Sequence, residues 1–310
     1  MSPHVGFMPS RGAKGASPLA GRVAVVTGAA RGLGAAVAGR LSERGATVAL
    51  LGLNARSLEQ VARSLPGPGR GVCWEADVTD DAAMSRTAAE VRERLGEPSV
   101  VVANAGLAEG GPFAESDPAT WRRVIEVNLI GSAVTARVFL PDLVATRGYY
   151  LQIASLAAMG TSPMMSAYCA SKAGVESFAH ALQAELAHQR VGVGVAYLNW
   201  IDTDMVRDAD RHTVLRELRA HMPRPARRVY PAPAVAARVV RAVERRSPAL
   251  YVPGWLRAVQ PVRAALPPLV TRLSRTELPR ISAHHDFDAT GLLGAGARDD
   301  AAHGTPGGPA

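Results

Sequence analysis

A chain of 310 residues with 47% hydrophobic side chains can bury a sizeable core, and its apolar residues form no run of eighteen that would read as a membrane-spanning helix. The formal charge of +8 comes mostly from arginines placed singly in helical patterns and clustered after residue 205; without a basic stripe interleaved with aromatics, a nucleic-acid-binding surface is excluded. Cys73 and Cys169 have neither metal-ligand spacing nor the density of a disulfide scaffold, and residues 1–20 carry Arg11 and Lys14 without an apolar signal core, so a cytoplasmic, reducing setting is expected.

In chain order, residues 1–20 are rich in Gly, Ala, Pro and Ser and lack apolar periodicity, so they read as a disordered tail. Strand-like runs follow at "RVAVVTG" (22–28), "ATVALLG" (46–52), "GVCWEAD" (71–77), "SVVVANAG" (99–106), "YYLQIAS" (149–155) and "VGVGVAYLN" (191–199). Amphipathic segments lie between them near 33–44, 56–65, 80–95, 118–146 and 166–189, and a last helix and strand follow as "APAVAARVVRAVERR" and "ALYVP". Continuous apolar runs suit strands buried on both faces. Strand then helix, repeated, predicts an α/β fold: a Rossmann-type doubly wound, mainly seven-stranded parallel sheet with helices on both faces and ligands at the carboxyl ends of its strands. This domain is expected over 21–254, with a helical extension over 255–282 and a second disordered tail over 283–310.

The stretch "VTGAARGLGAA" sets Gly28, Gly32 and Gly34 between the first strand and the first helix. Glycine lets a backbone turn tightly and approach a pyrophosphate, and the helix N-terminus attracts that anion. The Gly-x-x-x-Gly-x-Gly spacing resembles the short-chain dehydrogenase/reductase family, in its shorter single-domain form. That resemblance implies coenzyme contacts from Thr27, Gly28, Arg31, Gly32, Leu33 and Gly34, from Asp77 and Val78 at the adenine, and from Asn104, Ala105 and Gly106 in "ANAG". Asn104 also reads as a structural clip in its turn. Relatives often carry an acidic residue at the end of the second strand, where this chain has "LLGLN" with Gly52. Arg31 stands where NADP-preferring relatives carry a basic residue, and Arg56 is a second candidate contact. NADP(H) is therefore the preferred coenzyme, with NAD(H) the alternative.

The chain's two lysines are Lys14 and Lys172, and the second lies four residues after Tyr168 in "SAYCASKAG". On a helix both side chains share a face, and a neighbouring ammonium would favour the phenolate of a tyrosine whose free pKa is about 10. The resemblance implies that Tyr168 is the acid and base, that Lys172 also meets the nicotinamide ribose, and that Ser155 holds the substrate oxygen. It further implies that Asn128 in "VIEVNLIG" completes a proton relay with Lys172 and a water. The implied reaction interconverts a ketone or aldehyde and an alcohol by hydride transfer to or from the coenzyme.

Past the sixth strand, Leu198-Asn199 replaces the family's usual Pro-Gly, while Ile201 and Thr203 keep carboxamide-contacting positions; Asn199 tolerates a left-handed turn. Residues 204–230 read as a substrate lid. Met205 is a candidate substrate contact, and Met159, Met164, Met165 and Trp200 read equally as cleft lining or core. Arg207, Arg211 and Arg219 read as a solvated lid face, with an acidic substrate group as the alternative. The stretch "VPGWLRAVQPVRAALPPLVTRLSR" (252–275) reads as an extension packed on its own domain or a partner subunit, with membrane contact as the less favoured reading. His284 and His285 lack further ligands, so no metal site is expected. Relatives suggest a homodimer or homotetramer, and a non-catalytic NADP(H) sensor or a membrane-peripheral enzyme on a lipid-like substrate are the rival functions.

Overall fold

The computed structural model describes residues 17–67 and 69–303. The strand-like runs form β1 (Val23–Thr27), β2 (Thr47–Gly52), β3 (Gly71–Glu75), β4 (Val100–Ala103), β5 (Tyr149–Ile153) and β6 (Gly192–Leu198). Helices α1 (Gly32–Glu43), α2 (Ala55–Ser64), α3 (Asp81–Leu95), α4 (Pro118–Ile125), α5 (Gly131–Thr146) and α6 (Ser166–Leu186) alternate with them. Then come β7 (Ile201–Asp202), α7 (Asp204–Ala209), α8 (Thr213–His221), α9 (Arg224–Arg227), β8 (Tyr230–Pro231), α10 (Ala232–Glu244) and β9 (Ala249–Val252). The chain closes on α11 (Leu256–Val259), α12 (Leu266–Ser282) and α13 (Ala295–His303).

The expected seven-stranded sheet is present and entirely parallel, in the order β3–β2–β1–β4–β5–β6–β9. Every residue of β1, β4 and β5 is buried, which is why these strands read as unbroken apolar runs rather than as alternation. Successive side chains feed two cores. Ala24 and Val26 pack with Val37, Leu41, Val239 and Val243 of α1 and α10, whereas Val23 and Val25 pack with Met84, Val91, Phe139 and Val175 of α3, α5 and α6. Because the chain builds outward through β2 and β3 and then returns to place β4 beside β1, the connections part at the carboxyl ends of β1 and β4. A crevice opens there.

Helices α4 and α5 are joined by a π-helical stretch, Glu126–Ile130, that carries Asn128 into the protein interior. The whole run Pro118–Thr146 is long and apolar enough to span a bilayer, but half of its most apolar window is buried within the fold.

Two expectations about the chain ends need correction. Leu19 is buried and Ser17 Oγ donates to Glu244 Oε1 at 2.9 Å, so residues 17–20 belong to the packed body. Residues 283–303 are likewise not a solvated tail. Glu109 and Leu292 form an antiparallel bridge, Leu293 N donates to Ala108 O at 2.8 Å, and α13 is pinned by Asp299, Asp300 and His303. This segment docks through backbone pairing and ion pairs, which leave no apolar periodicity to read. The remaining parts of both expected tails, residues 1–16 and 304–310, lie outside the described residues.

The extension packs on its own chain. Leu256 and Ile281 are buried, Arg263 Nη1 pairs with Glu176 at 2.6 Å, and Glu277 of α12 faces His221 of α8 at 3.4 Å. Val262, Leu269 and Leu273 remain more than half exposed.

Candidate active site

The turn after β1 is shaped by steric necessity. Gly28 and Gly32 have φ of +63° and +53°, in the left-handed region that favours glycine. A Cβ on Gly34 would stand 2.1 Å from Gly28 O, so α1 can start this close to the turn only with glycine there. The adjoining β4 turn is clamped to it. Thr27 Oγ1 accepts from the backbone N–H groups of Asn104 and Ala105 at 3.0 and 3.1 Å, and Asn104 Nδ2 donates to Thr27 O at 2.9 Å. Asn104 is therefore a clip that also faces the crevice. Thr27 departs from the expected coenzyme contact: it is buried, absent from the cavity wall, and its hydroxyl is taken up in joining the two turns.

A cavity of about 980 Å³ runs from this turn across the carboxyl ends of the strands. The remaining expected coenzyme residues all line it: Gly28, Arg31, Gly32, Leu33, Gly34, Asp77, Val78, Asn104, Ala105, Gly106, Ile201 and Thr203. The glycine cradle, the free start of α1 and a buried Arg31 Nη1 without a hydrogen-bond partner fit a phosphate-bearing dinucleotide. Asp77 is braced from one side. Burial raises its carboxyl, but hydrogen bonds from Thr79 and Arg123 outweigh that and hold it below its usual range. Arg56 is exposed and off the cavity wall.

Ser155, Tyr168 and Lys172 come together at the other end of the same cavity. Lys172 Nζ lies 5.6 Å from the Tyr168 ring centroid and donates to Ile153 O at 3.3 Å. Ser155 Oγ accepts from Ala157 N at 3.1 Å, fixing the serine at the end of β5 on the same cavity wall as Tyr168. The electrostatics differ from the sequence expectation. Burial pushes the Tyr168 phenol up, the neighbouring Ser155 hydroxyl offsets this only in part, and Cys169 raises it further. Burial also pulls the Lys172 ammonium down to about 8. Spacing along a helix puts a charge near a phenol, but the desolvation of both groups outweighs their attraction.

Asn128 is fully buried and does not line the cavity. Its Oδ1 accepts from Leu107 N at 2.7 Å, and its Nδ2 donates to Leu107 O at 2.9 Å and Ser171 Oγ at 2.8 Å. The side chain thus locks the loop following β4 to α6, one residue from Lys172. It braces the site rather than entering it.

The turn after β6 keeps its course without a left-handed residue at Asn199. Asn199 N donates to Val252 O and its Nδ2 to Ala226 O at 2.8 Å, so the residue that replaces glycine clips the lid. Met165, Trp200 and Met205 line the cavity, whereas Met159 is buried in the main core and Met164 is off the cavity wall. Arg207 pairs with Asp202 of β7 and Asp204 of the lid, and Arg211 pairs with Asp208. Arg219 lines the cavity, pairs with Asp210 at 2.6 Å and lies over the Trp200 ring.

The part of the roof drawn from α12 and α13 was missed by sequence reasoning. Leu266, Leu269, Val270 and Leu273 of α12 line the cavity, and their three- and four-residue spacing in "LPPLVTRLSR" was the available signal. Asp299 and Asp300 of α13 also line it, and nothing in the sequence around them marks that.

Residues 22–213 match the family model described as short chain dehydrogenase. Over 192 residues, 60% of this chain and 75% of the relative, the protein is 40% identical to a cis-4-hydroxycyclohexanecarboxylate dehydrogenase of Sinomonas cyclohexanicum. A meso-2,3-butanediol dehydrogenase of Serratia marcescens is 32% identical over 184 residues, 59% of this chain and 73% of that one. In structure the chain is similar to an L-sorbose reductase of Gluconobacter frateurii complexed with NADPH and L-sorbose, with a TM-score of 0.69 at 23% identity, covering 75% of this chain and 95% of that one.

Proposed function

The chain belongs to the short-chain dehydrogenase family, and from that premise we propose that it is an NADP(H)-preferring oxidoreductase interconverting a ketone or aldehyde and its alcohol on an apolar small molecule. The observation that carries this reading is the convergence of Ser155, Tyr168 and Lys172 in the same cavity as the glycine turn. The hydroxycyclohexanecarboxylate and butanediol dehydrogenases support carbonyl–alcohol chemistry, and Arg31 beside a β2 that ends at Gly52 supports the coenzyme preference.

The β1 and β4 turns, Arg31, Ile201 and Thr203 would hold NADP(H), which would supply or accept the hydride. The chain's own groups supply position and proton. Because burial raises the Tyr168 phenol, it keeps its proton through neutral pH and serves as the donor to a substrate oxygen in the reducing direction. Ser155, on the same cavity wall as Tyr168, gives that oxygen a second polar partner. Lys172, at about 8, is mostly charged near pH 7 and makes loss of the phenol proton easier in the oxidising direction than burial alone would allow. The wall opposite is apolar, with Leu215, Leu218, Met222, Trp255, Leu266 and Val270, and excludes water around the reacting carbonyl.

The test is NADPH consumption against carbonyls graded in size and polarity, with NADH in parallel. Turnover rising with apolar bulk is expected. An inventory of carbonyls and alcohols none of which reacts, although NADPH binds, would defeat the proposal.

A further inference from the structure

Asp299 reaches the coenzyme end of the cavity from the far end of the chain. Its Oδ2 pairs with Arg31 Nη2, and its Oδ1 accepts from Asn54 Nδ2 at 3.0 Å. Arg31 belongs to the glycine turn, and Asn54 caps α2 just beyond β2. Two donors from the two elements that would flank an adenosine ribose thus converge on one carboxylate, an arrangement that also suits a phosphate ester. β2 itself ends without an acidic residue, so the carboxylate between Arg31 and Asn54 comes from α13 alone.

α13 is held mainly through polar groups. Asp300 pairs with Arg123, but Arg123 also holds Asp77 at 2.6 Å and keeps that partner if Asp300 departs. His303 Nε2 meets Glu75 at 2.8 Å at an exposed site, and Gly294 N donates to Asp208 Oδ2 at 2.8 Å on α7. Apart from Leu293 and Ala297, little apolar area is buried here. The segment also lies outside the matched family region, which ends at residue 213.

We propose that Asp299 occupies the 2′-phosphate position of the coenzyme site, holding Arg31 until NADP(H) displaces it, so that residues 290–303 form a latch which NADP(H) opens and NAD(H) leaves shut. The proposal rests on the reading of Arg31 as the 2′-phosphate contact. A phosphate dianion and the Asp299 carboxylate cannot share Arg31 and Asn54 without like-charge repulsion. The closed latch therefore lowers the apparent affinity for NADP(H) by the fraction of molecules that are open. NAD(H) carries only a neutral 2′-hydroxyl there, which does not compete with the carboxylate for Arg31, and leaves the ion pair intact.

The experiment uses the full chain and titrates NADPH and NADH by tryptophan fluorescence on the wild type, Asp299→Asn and Arg31→Leu, with thermal melts to check folding. Asp299→Asn should tighten NADPH by about threefold or more and leave NADH within about twofold. Hydrogen exchange is the second readout: amides in 290–303 should exchange faster with saturating NADPH than with NADH. Unchanged or weaker NADPH binding by Asp299→Asn, weaker NADH binding by that variant, or greater protection of 290–303 under NADPH would overturn the latch. Arg31→Leu separates the two layers. If it leaves NADPH affinity unchanged, the coenzyme reading fails and the latch with it; if it weakens NADPH while Asp299→Asn tightens nothing, only the latch fails.

Discussion

The floor of the cleft, drawn from residues before about 204, and its roof, drawn from those after, are held together by different physics. In the floor, Asn128, Ser171, Thr27 and Lys172 are buried and each makes hydrogen bonds to neighbouring strand ends and turns. In the roof, many ties are partly exposed, such as the Arg207–Asp202 ion pair and the contacts of His221 with Glu277 and His285 with Glu217, together with half-exposed leucines of α12. Buried bonds fix atoms to within a fraction of an ångström, whereas exposed pairs contribute little stability and open readily. Proton transfer needs the first kind of support, and admission of coenzyme and substrate needs the second.

The largest expected effect breaks the floor's chemistry. Tyr168→Phe removes the proton donor, and turnover should fall by about 10²- to 10⁴-fold while NADPH titration shows binding retained. Turnover within a few-fold of wild type would assign the proton to another group.

Stability should divide the two regions next. Asn128→Ala leaves Leu107 N–H and C=O and the Ser171 hydroxyl without their buried partner, and should cost roughly 2–4 kcal/mol in urea unfolding. Glu217→Ala in the roof, which gives up a partly exposed pairing with His285, should cost about 1 kcal/mol or less. Equal losses would erase the distinction between floor and roof.

A pH profile sharpens the floor alone. The ratio kcat/KM for carbonyl reduction should be level through neutral pH and decline above about 8, where Lys172 loses its proton; the raised Tyr168 phenol deprotonates at higher pH still. Lys172→Arg, permanently charged, should remove the decline near 8 where the variant folds. A profile that instead falls below pH 7 would assign its control to a different group.

The smallest effect lies in the roof. Leu269→Ser and Leu273→Ser shorten apolar wall at the cavity rim and should raise KM for bulky apolar substrates by roughly 2- to 10-fold with kcat kept. A change in kcat instead would mean that α12 positions the reacting groups.

Much of the floor was legible before any coordinates. The unbroken runs of β1, β4 and β5 announce burial on two faces, and Gly28, Gly32 and Gly34 announce a turn that no side chain could fill. Tyr168 and Lys172 announce a shared helix face. Other features were misread for identifiable reasons. Thr27 looked like a coenzyme contact because of its neighbours, yet its hydroxyl serves two backbone N–H groups of the next turn. The C-terminal segment looked unstructured because charge pairs with Arg31, Arg123 and Glu75, each far away in sequence, leave no local pattern.

Local regularities, then, were the sequence's own to determine: periodicity set by the pleat and the helical turn, glycine where a side chain would collide, and two side chains four apart on one helix. Tertiary structure alone decided which distant carboxylate meets Arg31, and that the phenol of Tyr168 is raised rather than lowered. Both depend on what packs around a group and how much water it excludes, and desolvation has no signature along a chain.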